Sequence, residues 1–282
     1  SIFIGFVISG DKTCFIATKL ARVKLIAAER NAPDMYWLRY SALHRHLSFF
    51  LLRLSDCIAI QFPKFSKRYP AVLRTRMIAI PNPVPRAVSF AQPGRESSSG
   101  RFTLLAVSRI DDKQKRISCI VHAFSLVARE FQNWDLLIVG DGPDADKISS
   151  LIRGYGLQKR IICQHSTKNI VSVYLRSNLF VISSLWEGFP NSLAEAMAHG
   201  LPAVGFSEAA GVSDLIDDSS GWLAPGLDDS NSLANTLRDA MADGSERISR
   251  GKQAIKIMLE FEPKVQFDCW ESLLSKIISD KV

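Results

Sequence analysis

Short apolar runs alternate with helix-period stretches along most of the chain. In the first third, "IFIGFVIS", "KLIAAER", "CIAIQ" and "RMIAIPN" read as buried strands. Between them, "CFIATKLARV", a long basic stretch around 35–55 and "FPKFSKRYP" carry helical spacing. Alternation of this kind predicts a parallel sheet covered on both faces. "PNPVP" at 81–85 excludes helix or central strand, because three prolines remove backbone donors and fix φ. The polar "AQPGRESSSG" that follows has the composition of a linker.

The alternation then restarts. "FTLLAVSR", "WDLLIVGDG", "RIICQH", "LFVISS", "PAVGF" and "GWLAP" are predicted strands. "CIVHAFSLVARE", "ADKISSLIRGYG", "NIVSVYLRS", the stretch after "WEGFP", "GVSDLID" and "SLANTLRDAMA" are predicted helices. The restart predicts an α/β fold with two Rossmann-like, doubly wound parallel-sheet domains rather than one. A final helix at roughly 263–280 is long enough to cross back onto the first domain. The predicted layout is therefore an incomplete first domain over 1–85 completed by 263–282, a linker over 86–100, and a second domain over 101–262. The chain starts with Ser rather than Met, and its first strand has no preamble, so an amino-terminal piece is expected to be missing.

Composition narrows the class. At 282 residues and 47% hydrophobic, the chain can build real cores. Its five cysteines are far apart with no C-x-x-C pair, which points away from a zinc cage or disulfide framework and fits a reducing compartment. The longest apolar run, "LSFFLLRLSDCIAI", is interrupted by Arg53 and Asp56 and is too short to span a bilayer. No signal peptide is readable. The net charge of +7 divides into +10 over residues 1–100 and −3 over the remainder. A basic first third fits attraction to an anionic partner, such as a membrane face or a lipid diphosphate, or simply a solvated surface. Aromatic residues are not interleaved with the basic ones, so nucleic acid is not an expected partner.

The candidate chemistry lies at the carboxyl ends of the second set of strands, where parallel sheets bind ligands. "SRIDDKQKR" places Arg109 and Lys115 around an acidic turn, suited to the charge of a diphosphate leaving group. Taken alone, such a pair is more often a solvated basic loop. "GDGP" lacks the third glycine of a dinucleotide fingerprint and carries an Asp, so it reads as a turn lining the cleft. Gln164 and His165 end a strand where a nucleobase could rest. In "WEGFPNSLAEAMAHGLP", Gly188 permits close approach of a ligand, and Asn191 or Ser192 opens a helix whose free amides suit phosphate. Glu187 and Glu195 flank that point, and two carboxylates suit the hydroxyls of a sugar and a ribose. The competing reading makes "SLAE" a capping box, with Glu195 reaching back to the cap amide.

These residues resemble a known family. "EGFPNSLAEAMAHGLP" carries the E-x7-E pattern of the retaining GT-B glycosyltransferases of family 4, and the order of the flanking segments over 100–280 is similar. The resemblance implies that Arg109 and Lys115 hold the donor diphosphate and that Glu187 contacts donor-sugar hydroxyls beside the Gly188–Phe189–Pro190 backbone. It implies that Asn191, Ser192 and Leu193 offer amides to phosphate and that Glu195 binds the ribose. The donor would be a UDP-sugar used without a metal or other cofactor, the second domain binding the donor and the first facing the acceptor. "ERN" at 29–31 stands where many members have a histidine, and it resembles the bacterial enzymes of surface-polysaccharide synthesis. Glu29 and Arg30 are accordingly candidates in the first domain.

The expected activity is transfer of a sugar to a polyprenyl-diphosphate-linked or other glycan acceptor, in the cytoplasm or peripherally on the inner face of the plasma membrane. A nucleotide-sugar-binding remnant without turnover, or an epimerase or phosphorylase on the same architecture, remains open at this point. An NAD-dependent dehydrogenase ranks last for want of the third glycine.

Overall fold

The computed structural model describes residues 1–6 and 12–279. The chain divides into two units, the first comprising Ser1–Pro83, Trp186–Phe189 and Phe261–Val282, the second Val84–Leu185 and Pro190–Glu260.

The first unit is a four-stranded parallel sheet in chain order: β1 (Ile2–Phe6), β2 (Lys24–Ala28), β3 (Cys57–Ile60) and β4 (Met77–Ala79). The predicted first strand runs on to residue 9, and its end lies outside the described residues. Between strands lie α1 (Lys12–Leu20), α2 (Met35–Leu38), α3 (Ala42–Leu52), a 3₁₀ turn (Pro63–Arg68) and α4 (Ala71–Arg74). The long basic helix expected around 35–55 is thus two helices. Ser41 separates them, its side chain accepting the His44 N–H as the N-cap of α3.

Crossovers that all step in one direction and are right-handed leave the connecting segments on one face of the sheet. The opposite face needs another cover. Side chains alternate along a strand, and Ile26, Ala28, Cys57 and Ala59 form one cluster with Ile80 and Leu273. Leu273 lies on the carboxyl-terminal helix, α11 below (Pro263–Ser279), together with Trp270, Leu274 and Ile277 packed on the same cluster. The return helix predicted over 263–282 therefore serves the first unit through Ser279; residues 280–282 lie outside the description.

The second unit holds β5 (Phe102–Val107), β6 (Trp134–Val139), β7 (Ile161–Gln164), β8 (Leu179–Val181), β9 (Ala203–Phe206) and β10 (Gly221–Ala224). Their order is β10-β9-β8-β5-β6-β7, all parallel. The chain steps outward from β5 to β7, returns to the other side of β5 at β8, and steps outward again. That reversal is the switch point of a doubly wound sheet, where a crevice opens beyond the strand ends. The helices are α5 (Ile117–Val127), α6 (Ala145–Gly154), α7 (Ile170–Leu175), α8 (Asn191–Ala198), α9 (Ser230–Ala242) and α10 (Gly244–Met258), which precede α11.

Three further details differ from the sequence reading. Residues 84–100 belong to the second unit, where 86–100 had the composition of a linker. Asn178 donates to the carbonyls of Arg95 (2.7 Å) and Gln92 (3.3 Å), and the buried Arg247 donates to Pro93 O (3.0 Å). Arg247 also serves Ala240 O and Met241 O and lies over the rings of Phe102 and Trp134, with the Asp243 charge favouring its charged form. The helix α10 that carries it has too sparse an apolar stripe to stand out in the sequence. Finally, "GVSDLID" forms successive turns, with Val212 and Leu215 donating to carbonyls three residues back, rather than a helix.

If α11 is the cover of the first sheet, Leu273→Ala should destabilise that unit by about 2–5 kcal/mol, the range for a buried leucine cut to alanine. Thermal melts of the variant and wild type check this; unchanged melting would mean the sheet is covered some other way.

Candidate functional site

A cavity of about 510 Å³ opens at the carboxyl-terminal edge of the second sheet. Val107, Ser108 and Arg109 line it from the end of β5, and Val139, Gly140 and Asp141 from the end of β6. Ser166, Thr167, Ile170 and Tyr174 come from the segment after β7 and from α7; Asn191, Ser192 and Glu195 come from α8. Both sides of the switch point thus contribute.

The glycines of "GDGP" explain how the first wall closes. A Cβ on Gly140 would sit 1.9 Å from Ser108 O, and Gly140 has φ of 151°. A Cβ on Gly142 would sit 2.1 Å from Ile110 O. The glycines let the loops after β5 and β6 touch backbone to backbone, which is a packing demand rather than a phosphate grip. Asp141 turns its carboxylate to the hydroxyl and amide of Ser166 and to His165 Nδ1. These hydrogen bonds, the Ser166 hydroxyl foremost and His165 next, draw its carboxyl down to about 2. His165 itself is exposed and braces Asp141, while Gln164 Oε1 accepts from Arg176 (3.3 Å).

The second wall is the start of α8. Pro190 occupies the N-cap position, and no side chain caps it. The Ser192 hydroxyl donates instead to Val107 O (2.8 Å), tying α8 to the end of β5. Glu195 accepts from the Tyr174 hydroxyl (2.9 Å) and lines the cavity. The capping box is therefore not what forms, because Pro190 displaces the cap by two positions and Tyr174 supplies the partner of Glu195. Burial, reinforced by the Glu195 charge, pushes the Tyr174 phenol far up, so it remains a hydrogen-bond donor. Leu193 is fully buried and has only its backbone to offer.

The basic loop is held by residues the sequence reading did not single out. Asp112, buried, accepts the Ser118 N–H (2.9 Å) and the Lys147 ammonium (2.7 Å), while its own N–H donates to Asp144. Burial alone would raise its carboxyl; Lys147 and Ser118 outweigh that and lower it. The Ser183 hydroxyl reaches the carbonyls of both Lys115 and Arg116, at 2.8 Å each. Arg116 has a φ of 53° and forms a two-pronged pair with Asp228, itself at φ 58°. Left-handed backbone at two non-glycine residues is tolerated where such a pair locks both. Arg109 is paired with Asp111 (2.6 Å) and half exposed. Lys115 fixes the turn by its N–H to Asp111 O (2.8 Å). Two positively charged residues among acidic neighbours look the same in sequence whether the acids brace the loop or only solvate it.

The cavity thus brings together Arg109, Asn191, Ser192 and Glu195. Lys115, Gln164, His165 and Leu193 lie on the same elements outside its lining. Glu187, Gly188 and Phe189 belong to the first unit by their contacts, and Glu187 is buried there. In that unit Glu29 is buried and accepts from Tyr36 (2.6 Å) and Tyr69 (3.3 Å). Its Oε1 has no hydrogen-bond partner among the described residues. Arg30 donates to Ile80 O (3.2 Å) and Asn82 Oδ1 (2.7 Å). Among the described residues no three His, Cys, Asp or Glu stand together as a metal ligand set. Nor is any described helix long and apolar enough to cross a membrane.

Residues 90–257 match the family model described as glycosyl transferases group 1. An exopolysaccharide phosphotransferase of Streptomyces coelicolor is 29% identical over 205 residues, covering 72% of this chain and 21% of the relative. A lipopolysaccharide 1,6-galactosyltransferase of Salmonella typhimurium is 30% identical over 140 residues, 48% of this chain and 38% of the relative. The chain spans well under half the length of either. The crystal structure of HepE from Anabaena with UDP and glucose has a TM-score of 0.79 at 17% identity, covering 96% of this chain and 77% of that one. That is a likeness of fold, and the fold is GT-B.

The buried Glu29 generates a pH test. Burial holds its carboxyl above the ordinary 4.5, against the pull of Tyr36 and Tyr69. A raised carboxyl contributes stability below its ordinary value and loses that contribution as pH rises through the raised one. Glu29→Gln keeps an acceptor for Tyr36 and removes the ionisation. The variant should therefore gain on wild type in melting temperature as pH rises from 4.5 to 8, with the gap closing below 4.5. A gap independent of pH would show that Glu29 does not titrate this way.

Proposed function

Because the chain belongs to the glycosyl transferases group 1 family, we propose that it moves a sugar, with retention, from a UDP-sugar to a lipid-linked or polysaccharide acceptor of a cell-surface glycan. The observation that carries the reading is the cavity at the switch point, where a cation, an uncapped helix start and a carboxylate converge. Diphosphate there would meet the Arg109 guanidinium and the amides that open α8, where the helix dipole favours anions. Arg109 is 63% exposed and pairs with the half-buried Asp111, and exchanging a partner on so exposed a cation for phosphate costs little. Lys115 adds positive charge from the same braced loop. Glu195, oriented by Tyr174, would accept the ribose hydroxyls. Glu187, four residues before Asn191, would take the hydroxyls of the donor sugar.

In the reaction, the bond between the sugar's anomeric carbon and the β-phosphate oxygen breaks, and the acceptor oxygen bonds to the same face of that carbon. The acceptor's proton passes to the departing phosphate oxygen, so no carboxylate base is required. Negative charge grows on that phosphate as the bond breaks, and Arg109, Lys115 and the α8 amides stabilise it in place of a metal. The relative from Salmonella acts on lipopolysaccharide by name, and the HepE structure holds UDP and glucose; both favour this donor and acceptor class.

A peripheral site on the inner face of the plasma membrane is supported by the first unit. Trp37, Leu38, Leu43 and Phe50 on α2 and α3 are exposed large apolar side chains, Leu43 at 80%. Arg39 and Arg53 are exposed beside them, and the Arg45 guanidinium lies over the Trp37 ring at 5.4 Å. Apolar residues ringed by arginine on one short helical pair suit the interface of an anionic bilayer.

Two measurements test these assignments. UDP release should be followed with a panel of UDP-sugars, with and without a lipid-diphosphate acceptor. Lys115→Ala is expected to lower kcat/KM by about 100-fold, as removal of one transition-state donor does, and Glu187→Ala by about tenfold, the worth of one hydrogen bond to a charged group. Glu195→Ala is expected to weaken UDP by about tenfold, the worth of one hydrogen-bonded carboxylate. Full turnover in all three variants, or release of sugar phosphate from a polymer instead, would overturn the assignment. Separately, flotation with vesicles containing phosphatidylglycerol should be lost in Leu43→Ser/Phe50→Ser and weakened by salt. Equal binding by the double variant would place membrane contact elsewhere.

A further inference from the structure

The segment 186–189 packs within the first unit through backbone and ring contacts. A Cβ on Gly188 would lie 1.8 Å from Arg30 O, 2.5 Å from Arg30 C and 2.7 Å from Asn31 Cα. Only a residue without a side chain lets these two backbones meet. Next to it, the buried Phe189 stacks on Phe62, with centroids 5.6 Å apart and planes 14° apart, and meets Phe261 edge-on.

The far side of this contact is braced as a closed circuit. Arg30 reaches Asn82 Oδ1 (2.7 Å), the Asn82 N–H reaches Gln61 Oε1 (2.9 Å), and Gln61 Nε2 returns to Asn82 Oδ1 (3.1 Å). Gln61 is bonded in the chain to Phe62, which carries Phe189, and Phe189 follows Gly188, which rests on Arg30. Glu29 holds the root of the circuit, its N–H on Ala59 O (2.8 Å) and its carboxyl on Tyr36 and Tyr69. The Arg30 guanidinium also lies 5.8 Å from the Phe6 ring centroid. Burial draws Arg30 down to about 10, so it stays charged at neutral pH. A cation spent on a carbonyl and an amide oxygen within its own unit is a brace.

We propose that Arg30, Asn82, Gln61 and Phe62 are positioning residues that seat the 186–189 segment and thereby aim Glu187, so that the ends of β2, β3 and β4 set how strongly a donor sugar is held. This rests on the reading of Glu187 as the donor-sugar contact. The seat acts on the sugar and not on the nucleotide, whose proposed groups lie on the second sheet.

The test separates the two ideas. Affinities for UDP and for a panel of UDP-sugars (glucose, galactose, N-acetylglucosamine) are measured by calorimetry on the full chain, together with hydrogen exchange at residues 186–190. In Asn82→Ala and Arg30→Ala, UDP affinity is expected within about twofold of wild type. The extra affinity for the preferred UDP-sugar should fall by about tenfold, the worth of one well-made hydrogen bond to a charged group. Gly188→Ala should lose at least as much, Arg30→Lys should recover part, and Glu187→Gln combined with Asn82→Ala should be no worse than Glu187→Gln alone. Faster exchange at 186–190 should accompany each loss. A sugar preference unchanged in Asn82→Ala and Arg30→Ala but abolished by Glu187→Gln overturns the seat. So does a wild type that binds UDP and every UDP-sugar equally. A wild type that binds no UDP refutes the donor reading instead; the seat then stands on loss of protection at 186–190 in Arg30→Ala and falls if protection is retained.

Discussion

A parallel sheet sends every strand's carboxyl end to one edge, and the loops leaving those ends must share it. In both units the crowding is resolved by contact between backbones. Gly140 and Gly142 let the loops after β5 and β6 touch, and Gly188 does the same against the turn after β2. Each would place a Cβ within 2.1 Å of a neighbouring carbonyl oxygen, far inside contact distance. The loops are therefore positioned by main chain, which leaves side chains at the edge free to be chosen for chemistry. A larger residue at any of these three places would move a loop as a whole.

The acidic residues divide by the same logic. Asp112, Asp141 and Asp228 spend their oxygens inside the edge, on Lys147 and Ser118, on Ser166 and His165, and on Arg116. Protein donors pull the carboxyls of Asp112 and Asp141 down, which marks them as fixed anionic braces at neutral pH. Glu195 is held by a single phenol at the wall of an open cavity, so capacity to accept further hydroxyls remains. Sorting carboxylates by how much of their hydrogen-bonding capacity is already committed separates scaffold from candidate ligand here better than sequence position does.

That distinction also marks how far the sequence could be read. The two α/β repeats, the return helix on the first sheet and the placement of Arg109, Asn191, Ser192 and Glu195 on converging loops follow from periodicity and strand-end logic, because those signals are local. The capping box failed because "SLAE" is satisfied by pattern alone, whereas the choice between a cap and Tyr174 depends on a residue 21 positions away. Residues 84–100 had a linker's composition, yet their carbonyls are taken by Asn178 and Arg247, side chains about 85 and 154 positions along the chain. Helix α10 was invisible for a related reason. One of its four buried residues is Arg247, which any hydropathy pattern scores as surface. Glu29 and Arg30 were legible as unusual but not as braces, since their partners Tyr69, Ile80 and Asn82 are 40–52 positions distant.

Charge supplies the last constraint on the proposed chemistry. Residues 101–282, which include the whole proposed diphosphate site, carry a net −3, while the excess of +10 sits in residues 1–100. A nucleotide diphosphate thus gains little from the long-range field of the segment that would bind it, and that field is damped within about 10 Å at ordinary salt. Its hold has to come from groups close at hand: Arg109 at the cavity wall, Lys115 on the same loop and the opening amides of α8. Contact-range groups act only if they are held still, which is what the buried Asp112, the Ser183 bridge and the Arg116–Asp228 pair provide to the basic loop. The number of braces around a loop bearing only two candidate cations is then understandable, because the proposed grip on phosphate depends more on the geometry of those two than on a damped long-range field.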